Sequence, residues 1–166
     1  VGACCLISLY AGGVVFFGFT AVFQPIVSEF GWSYVQISIA ASLRVLETGI
    51  LFPVVGLLVD RLGPRRILFG GAIILGFGLV LLSRITSLGM LYVSSIIIGI
   101  GMSALTGTVV LTAVANWFRK RVAIATGIVV SGFASGGLLI PLVTVLIDVF
   151  DWRMAMVLLG AGAWVI

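Results

Sequence analysis

Gly56-Leu57-Leu58-Val59-Asp60-Arg61-Leu62-Gly63-Pro64-Arg65-Arg66 is the only dense cluster of charge in the first two thirds of the chain, and it stands between two long apolar runs. Gly56 would allow close helix approach, Asp60 is expected to end the run before it, and Gly63-Pro64 enforces a turn that a continuous helix cannot pass. Arg61, Arg65 and Arg66 then fall where lipid phosphates and water solvate them. The stretch reads as a short, positively charged turn between two membrane helices.

Composition agrees. The chain is 62% hydrophobic and 8% charged, and its mean hydropathy of +1.38 leaves too little polar surface for water. Its apolar side chains need a lipid bilayer as solvent. The formal charge of +4 would suggest nucleic acid in a soluble domain, but most basic residues sit in two short loops, so topology accounts for them and nucleic-acid binding is not expected. Cys4 and Cys5 are adjacent in an apolar run and no His is present, so no metal site, structural disulfide or cofactor is expected.

A bilayer core needs about 20 apolar residues as a helix. Charged and turn-forming positions divide the chain into six such spans, near 3–28, 35–59, 67–86, 89–117, 122–148 and 152–166. No alternation of polar and apolar residues suggests strands, so the fold is expected to be an all-α membrane protein. Ser33-Tyr34-Val35-Gln36 has the spacing of a capping box at the start of the second span, and Asp151 offers a similar start for the sixth. Arg61, Arg65 and Arg66 in one loop, and Arg119, Lys120 and Arg121 in another, place loops 60–66 and 118–121 in the cytoplasm by the positive-inside rule. Glu29, Asp148 and Asp151 then lie near the outer face.

A shift of 88 positions superimposes Pro53-x6-Asp60-x4-Arg65 on Pro141-x6-Asp148-x4-Arg153, and pairs Gly13 with Gly101, Thr20 with Thr108, Phe30 with Phe118 and Gly49 with Gly137. Spans one to three therefore echo spans four to six, with repeats at approximately 1–86 and 89–166. Because three is odd, the second copy enters the membrane from the opposite side, the inverted arrangement that transporters use.

The Gly56–Arg66 stretch resembles the loop signature of the major facilitator superfamily of secondary transporters, Gly-x-Leu-x-Asp-Arg-x-Gly-Arg-Lys in idealised form. Pro64 stands in the usual Arg place and Arg65 in the Lys place, the Gly-Pro-Arg form of the monocarboxylate-porter-like branch. Phe30-Gly31-Trp32-Ser33 and Asn116-Trp117-Phe118-Arg119-Lys120 are similar to the monocarboxylate and oxalate-formate branch. The resemblance implies an inner-membrane transporter working by alternating access between two six-helix bundles. Residues 1–166 would be the N-terminal bundle, with the sixth helix continuing past Ile166 and a second bundle to follow. It also implies that Gly56, Asp60, Arg61, Gly63 and Arg65 form a gating loop that clasps the facing half. The acidic-glycine-tryptophan signature of animal monocarboxylate porters is missing, which puts a lactate-like substrate in doubt.

Arg44 and Glu47 lie inside the second span, three residues apart and so on one helical face. A charge there costs about 2.5–3.5 kcal/mol even on a lenient insertion scale, so both should pair or face water. Two readings stay open: Arg44 docks an anionic substrate with Glu47 as counter-ion or proton carrier, or the two form an ion pair at the seam between halves. Pro53 and Pro141 free the carbonyls of Gly49 and Gly137 and are candidate hinges, unless neighbouring helices satisfy those groups. Tyr10, Gln24, Thr106, Thr108, Thr112 and Asn116 are polar candidates for the cavity, on the two spans that line it in the family. Gly99, Ser103, Gly107, Gly127, Ser131 and Ser135 make small-residue ridges suited to close packing. The expected partners are a small, anionic solute, protons, lipid and the second half. A membrane enzyme finds no catalytic constellation here, whereas a non-transporting scaffold or sensor with the same fold remains a competing reading.

Overall fold

The computed structural model describes residues 2–105, 107–117 and 122–165, and every regular element among them is a helix. These are α1 (Cys4–Phe30), α2 (Tyr34–Leu62), α3 (Pro64–Ser83), α4 (Leu88–Leu105), α5 (Thr108–Trp117), α6 (Val122–Phe150) and α7 (Trp152–Val165). Four of them, α1, α2, α3 and α6, are by themselves long and apolar enough to cross a bilayer, and α4 with α5 makes a fifth crossing. The described part of the sixth span, α7, has 14 residues.

The boundaries follow from local chemistry. Gly31 closes α1 with φ of +65°, a conformation costly for any residue with a Cβ. Ser33 then caps α2 in the expected box: the Gln36 amide donates to Ser33 Oγ at 3.3 Å, and the Ser33 amide donates to Gln36 Oε1 at 3.0 Å. Helix α2 runs two residues past Asp60, contrary to the expected stop there. Gly63 at φ +82° ends it, and Pro64 begins α3, where its missing N–H costs nothing. Asp151 accepts a hydrogen bond from the Trp152 amide at 2.7 Å as α7 begins.

Two spans are less regular than their sequence suggests. The fourth is not one helix but two, with Gly107 at φ +47° between α4 and α5. The first changes winding in mid-membrane, with a π segment at Ala11–Phe17 and a 3₁₀ segment at Gly18–Val22. Its cause is tertiary. Gly12 and Gly13 press backbone to backbone against α6, so closely that a Cβ on Gly13 would lie 2.6 Å from the Gly136 carbonyl oxygen. On the other side of this crossing α6 also tightens, into a 3₁₀ turn at Gly136–Leu139 just before Pro141. Phe16, Phe17 and Phe133 cluster beside it, with ring centroids 5.2 to 6.3 Å apart.

Helix α1 packs on α6, α2 on α4 and α5, and α3 on α4 and α7. The core joins Val15, Phe19, Val22 and Ile26 of α1 to Ile37 and Ala40 of α2, Leu75, Leu79 and Leu82 of α3, and Ile98 of α4. Helices α2 and α6 are left largely bare: only 17% and 11% of their most apolar stretches are buried, against 50% for α1. Their uncovered side chains include Leu46, Ile50, Val54 and Leu57 on α2 and Leu138, Leu142, Val145 and Val149 on α6. Those flanks require lipid or another apolar surface.

Candidate functional site

Arg44 sits in the third turn of α2 and is only 7% exposed. Its guanidinium carbon lies 4.0 Å from the centre of the Phe19 ring of α1, and Nη1 is buried with no hydrogen-bond partner. One turn on, Glu47 Oε2 is likewise buried and unpartnered. The two charges do not pair. Among the described residues the one ion pair is Arg153 with Glu29, and Arg44 and Glu47 make none with each other.

The reason lies on α4. Gly99 offers a notch in that helix, and both the Glu47 carboxylate and the Arg44 stem settle over it: a Cβ built on Gly99 would be 2.7 Å from Glu47 Oε2 and 3.2 Å from Arg44 Cγ. The carboxylate is held on α4 while the guanidinium crosses to α1. A cation over an aromatic face offsets only about 0.5–2 kcal/mol, less than the cost of a membrane-embedded charge. The arrangement is therefore left with an unsatisfied donor and an unsatisfied acceptor. Ser95, one turn before Gly99, adds a third buried orphan, its Oγ. All three such atoms among the described residues lie on the helices of the α2–α4 pair. Sequence reasoning passed over Gly99 as a packing residue and did not single out Ser95, because neither shows its role until the pairing is known.

The other candidates do not converge on Arg44. Tyr10 is committed elsewhere, its hydroxyl donating to the Leu159 carbonyl of α7. Gln24 lines a groove of about 570 Å³ between α1 and α6, bounded also by Ser28, Glu29, Asp148 and Trp152. Thr112 is half-buried in α5. Thr106, the side chains of Thr108, Asn116 and Trp117, and the loop 118–121 lie outside the described residues.

In the loop expected to gate, Asp60, Arg61, Arg65 and Arg66 are exposed and form no ion pair among the described residues. Gly56 serves no close approach among the described residues, since a Cβ there would meet nothing within 4 Å, and the same holds for Gly127. The expected serine ridge of α6 turns its hydroxyls inward, Ser131 donating to the Ile128 carbonyl and Ser135 to that of Ser131. Pro53 lies within an unbroken α2, whereas Pro141 follows the tightened turn of α6.

The opposite end of the bundle carries a feature that sequence reasoning missed. Arg153 Nη2 donates to Glu29 Oε1 at 2.6 Å and Nη1 donates to the Ser83 carbonyl at 3.1 Å, while Trp152 Nε1 donates to Glu29 Oε2 at 2.7 Å. The end of α1, the end of α3 and the start of α7 are thereby joined through one guanidinium. Its signal was present in the repeat, where Arg153 is the counterpart of Arg65.

Comparison with known proteins places this geometry. Residues 3–166 match the family profile of the Major Facilitator Superfamily. Monocarboxylate transporter 13 of Rattus norvegicus is 30% identical over 150 residues, covering 90% of this chain and 33% of the relative. MFS-type transporter 1 of Ophiocordyceps sp. (strain BCC 1869) is 40% identical over 116 residues, covering 68% and 25%. The Fujikurins efflux protein of Gibberella fujikuroi (strain CBS 195.34 / IMI 58289 / NRRL A-6831) is 33% identical over 112 residues, covering 67% and 24%. The chain thus spans about a quarter to a third of the length of these curated relatives.

Proposed function

The chain belongs to the Major Facilitator Superfamily, and from that premise we propose that the full-length protein is a secondary transporter that carries a small organic anion across the membrane by alternating access. That it is a multi-pass membrane transporter rather than an enzyme follows from the family and from its apolar helices. The choice of cargo rests on one observation: the buried Arg44 guanidinium, short of one hydrogen-bond acceptor and unpaired with the acid on its own helix. A cation so placed gains most from an anion that arrives with the substrate. The names of the monocarboxylate transporters among the relatives support the same cargo class, and that of the efflux protein supports flux of an organic product.

In this reading residues 1–166 form the N-terminal bundle, made of repeats near 1–86 and 89–166. The second bundle covers the bare flanks of α2 and α6. Loops 60–66 and 118–121 face the cytoplasm of an inner membrane. Asp60, Arg61 and Arg65, idle in this half, clasp the facing half at one end of the cycle, and Gly56 and Gly63 give that loop its shape. Pro53 and Pro141 permit the bending that the cycle needs. Glu47, its Oε2 buried and unpartnered, is the carboxylate that takes up a coupling proton. Gln24, Thr108 and Thr112 contribute hydroxyl and amide contacts along the path, and Tyr10 braces α1 against α7.

The test is uptake of radiolabelled one- to four-carbon carboxylates by the full-length protein in proteoliposomes, with and without a proton gradient. The expected result is saturable flux, abolished in Arg44→Gln and uncoupled from the gradient in Glu47→Gln. Absence of flux for every anion tried, or wild-type kinetics in Arg44→Gln, would overturn the proposal.

A further inference from the structure

From the notch on α4 we infer that Gly99 is a positioning residue, whose missing side chain keeps the Glu47 carboxylate on α4 and so leaves the Arg44 guanidinium unpaired for the substrate. The inference rests on the reading of Arg44 as the anion contact. Arg44 and Glu47 stand at i and i+3, a spacing at which opposite charges ordinarily meet. In the bilayer interior, where such attraction is strongest, the two nonetheless remain apart. The physical obstacle to their meeting is that the carboxylate has a better-packed place to lie. Gly99 supplies it, with Oε2 sitting where a Cβ would come within 2.7 Å.

A methyl group at position 99 reverses this arrangement. A separation of 2.7 Å is too short to keep, and the Glu47 carboxylate that must yield is the far end of a flexible side chain, while Arg44 Cγ at 3.2 Å need give only a few tenths of an ångström, so the protein still folds. Displaced from α4, the carboxylate has Arg44 as its nearest cation on the same helical face. The new ion pair then competes with every incoming anion. Gly99 would thus govern affinity without touching substrate.

A double-mutant cycle tests the inference in the full-length protein. Gly99→Ala should raise the KM for the transported anion about tenfold and leave kcat within about twofold of wild type. In a Glu47→Gln background, where no acid is left to pair with Arg44, the same change should move KM by less than about threefold, measured as counterflow so that proton coupling does not enter. Gly127→Ala, with open space around it, serves as the control and should leave KM unchanged. A wild-type KM in Gly99→Ala, or an equal penalty in both backgrounds, would overturn the inference. If the wild type carries none of the carboxylates, the proposed cargo fails, and the thermal midpoint of the detergent-solubilised protein across the same four variants decides the rest. Coupling between positions 99 and 47 of about 2 °C or more supports the positioning role, and strict additivity overturns it.

Discussion

At the scale of single residues, what distinguishes Arg44 is geometry as much as charge. Its planar guanidinium lies over Phe19 while Nη1 stays free, so one side chain can stack and bind at once. Lysine could supply the charge but not both contacts. Arg44→Lys is therefore expected to keep the protein folded and to raise the KM for the anion by about tenfold or more, with Arg44→Gln worse again, as read from uptake kinetics. Arg153 makes a different case. Its partner Glu29 and its own side chain are 41% and 33% exposed, so the ion pair alone contributes at most about 1 kcal/mol. The bond to the Ser83 carbonyl and the contact with Trp152, 4.8 Å from ring to guanidinium carbon, add to it. Arg153→Ala should lower the thermal midpoint more than Glu29→Gln does, because the first change removes bonds from α7 to both α1 and α3 and leaves only that of Trp152 to Glu29, whereas the second leaves the bond to the Ser83 carbonyl intact.

At the scale of elements, caps and crossings separate what can be substituted from what cannot. Ser33→Ala removes the side-chain half of a capping box and should cost about 1 kcal/mol in a denaturation series. Gly136→Ala puts a methyl group into the backbone of Gly12 and Gly13, where nothing flexible can yield, and should abolish accumulation of folded protein. Gly137→Ala, one residue on and facing open space, should be tolerated. Side by side, those two glycines show which parts of this fold were legible beforehand. The Ser33–Gln36 cap and the Gly63–Pro64 break were readable because their partners lie within four residues. The same holds for Arg44 and Glu47 as a one-face pair. The winding change in α1, the break at Gly107 and the separation of the two charges were not readable. The first and the last depend on a contact with a helix that sequence spacing alone does not bring near: Gly13 with Gly136, and Glu47 with Gly99. Gly56 shows the opposite error, a motif position with no close neighbour among the described residues.

At the scale of the molecule, the proposed topology puts loops 60–66 and 118–121 on the same side of the membrane. Single cysteines at Arg65 and Lys120 in a cysteine-free background should both be labelled only from the cytoplasmic face, and labelling from opposite faces would refute the topology. Full-length protein is further expected to bury the bare flanks of α2 and α6, so cysteines at Ile50 and Leu142 should react slowly with a membrane-permeant maleimide there and quickly in residues 1–166 alone. The Arg153 junction has a mechanical corollary. One rim of the bundle is stapled, with three helix ends caught in a single knot, while the charged side chains of the Asp60 rim form no ion pair among the described residues. Thermal breathing should therefore be lopsided: amide deuteration ought to creep in from the Asp60 rim and stall before it reaches Glu29, so that this half behaves as a hand fan, pinned at one edge and free to spread at the other.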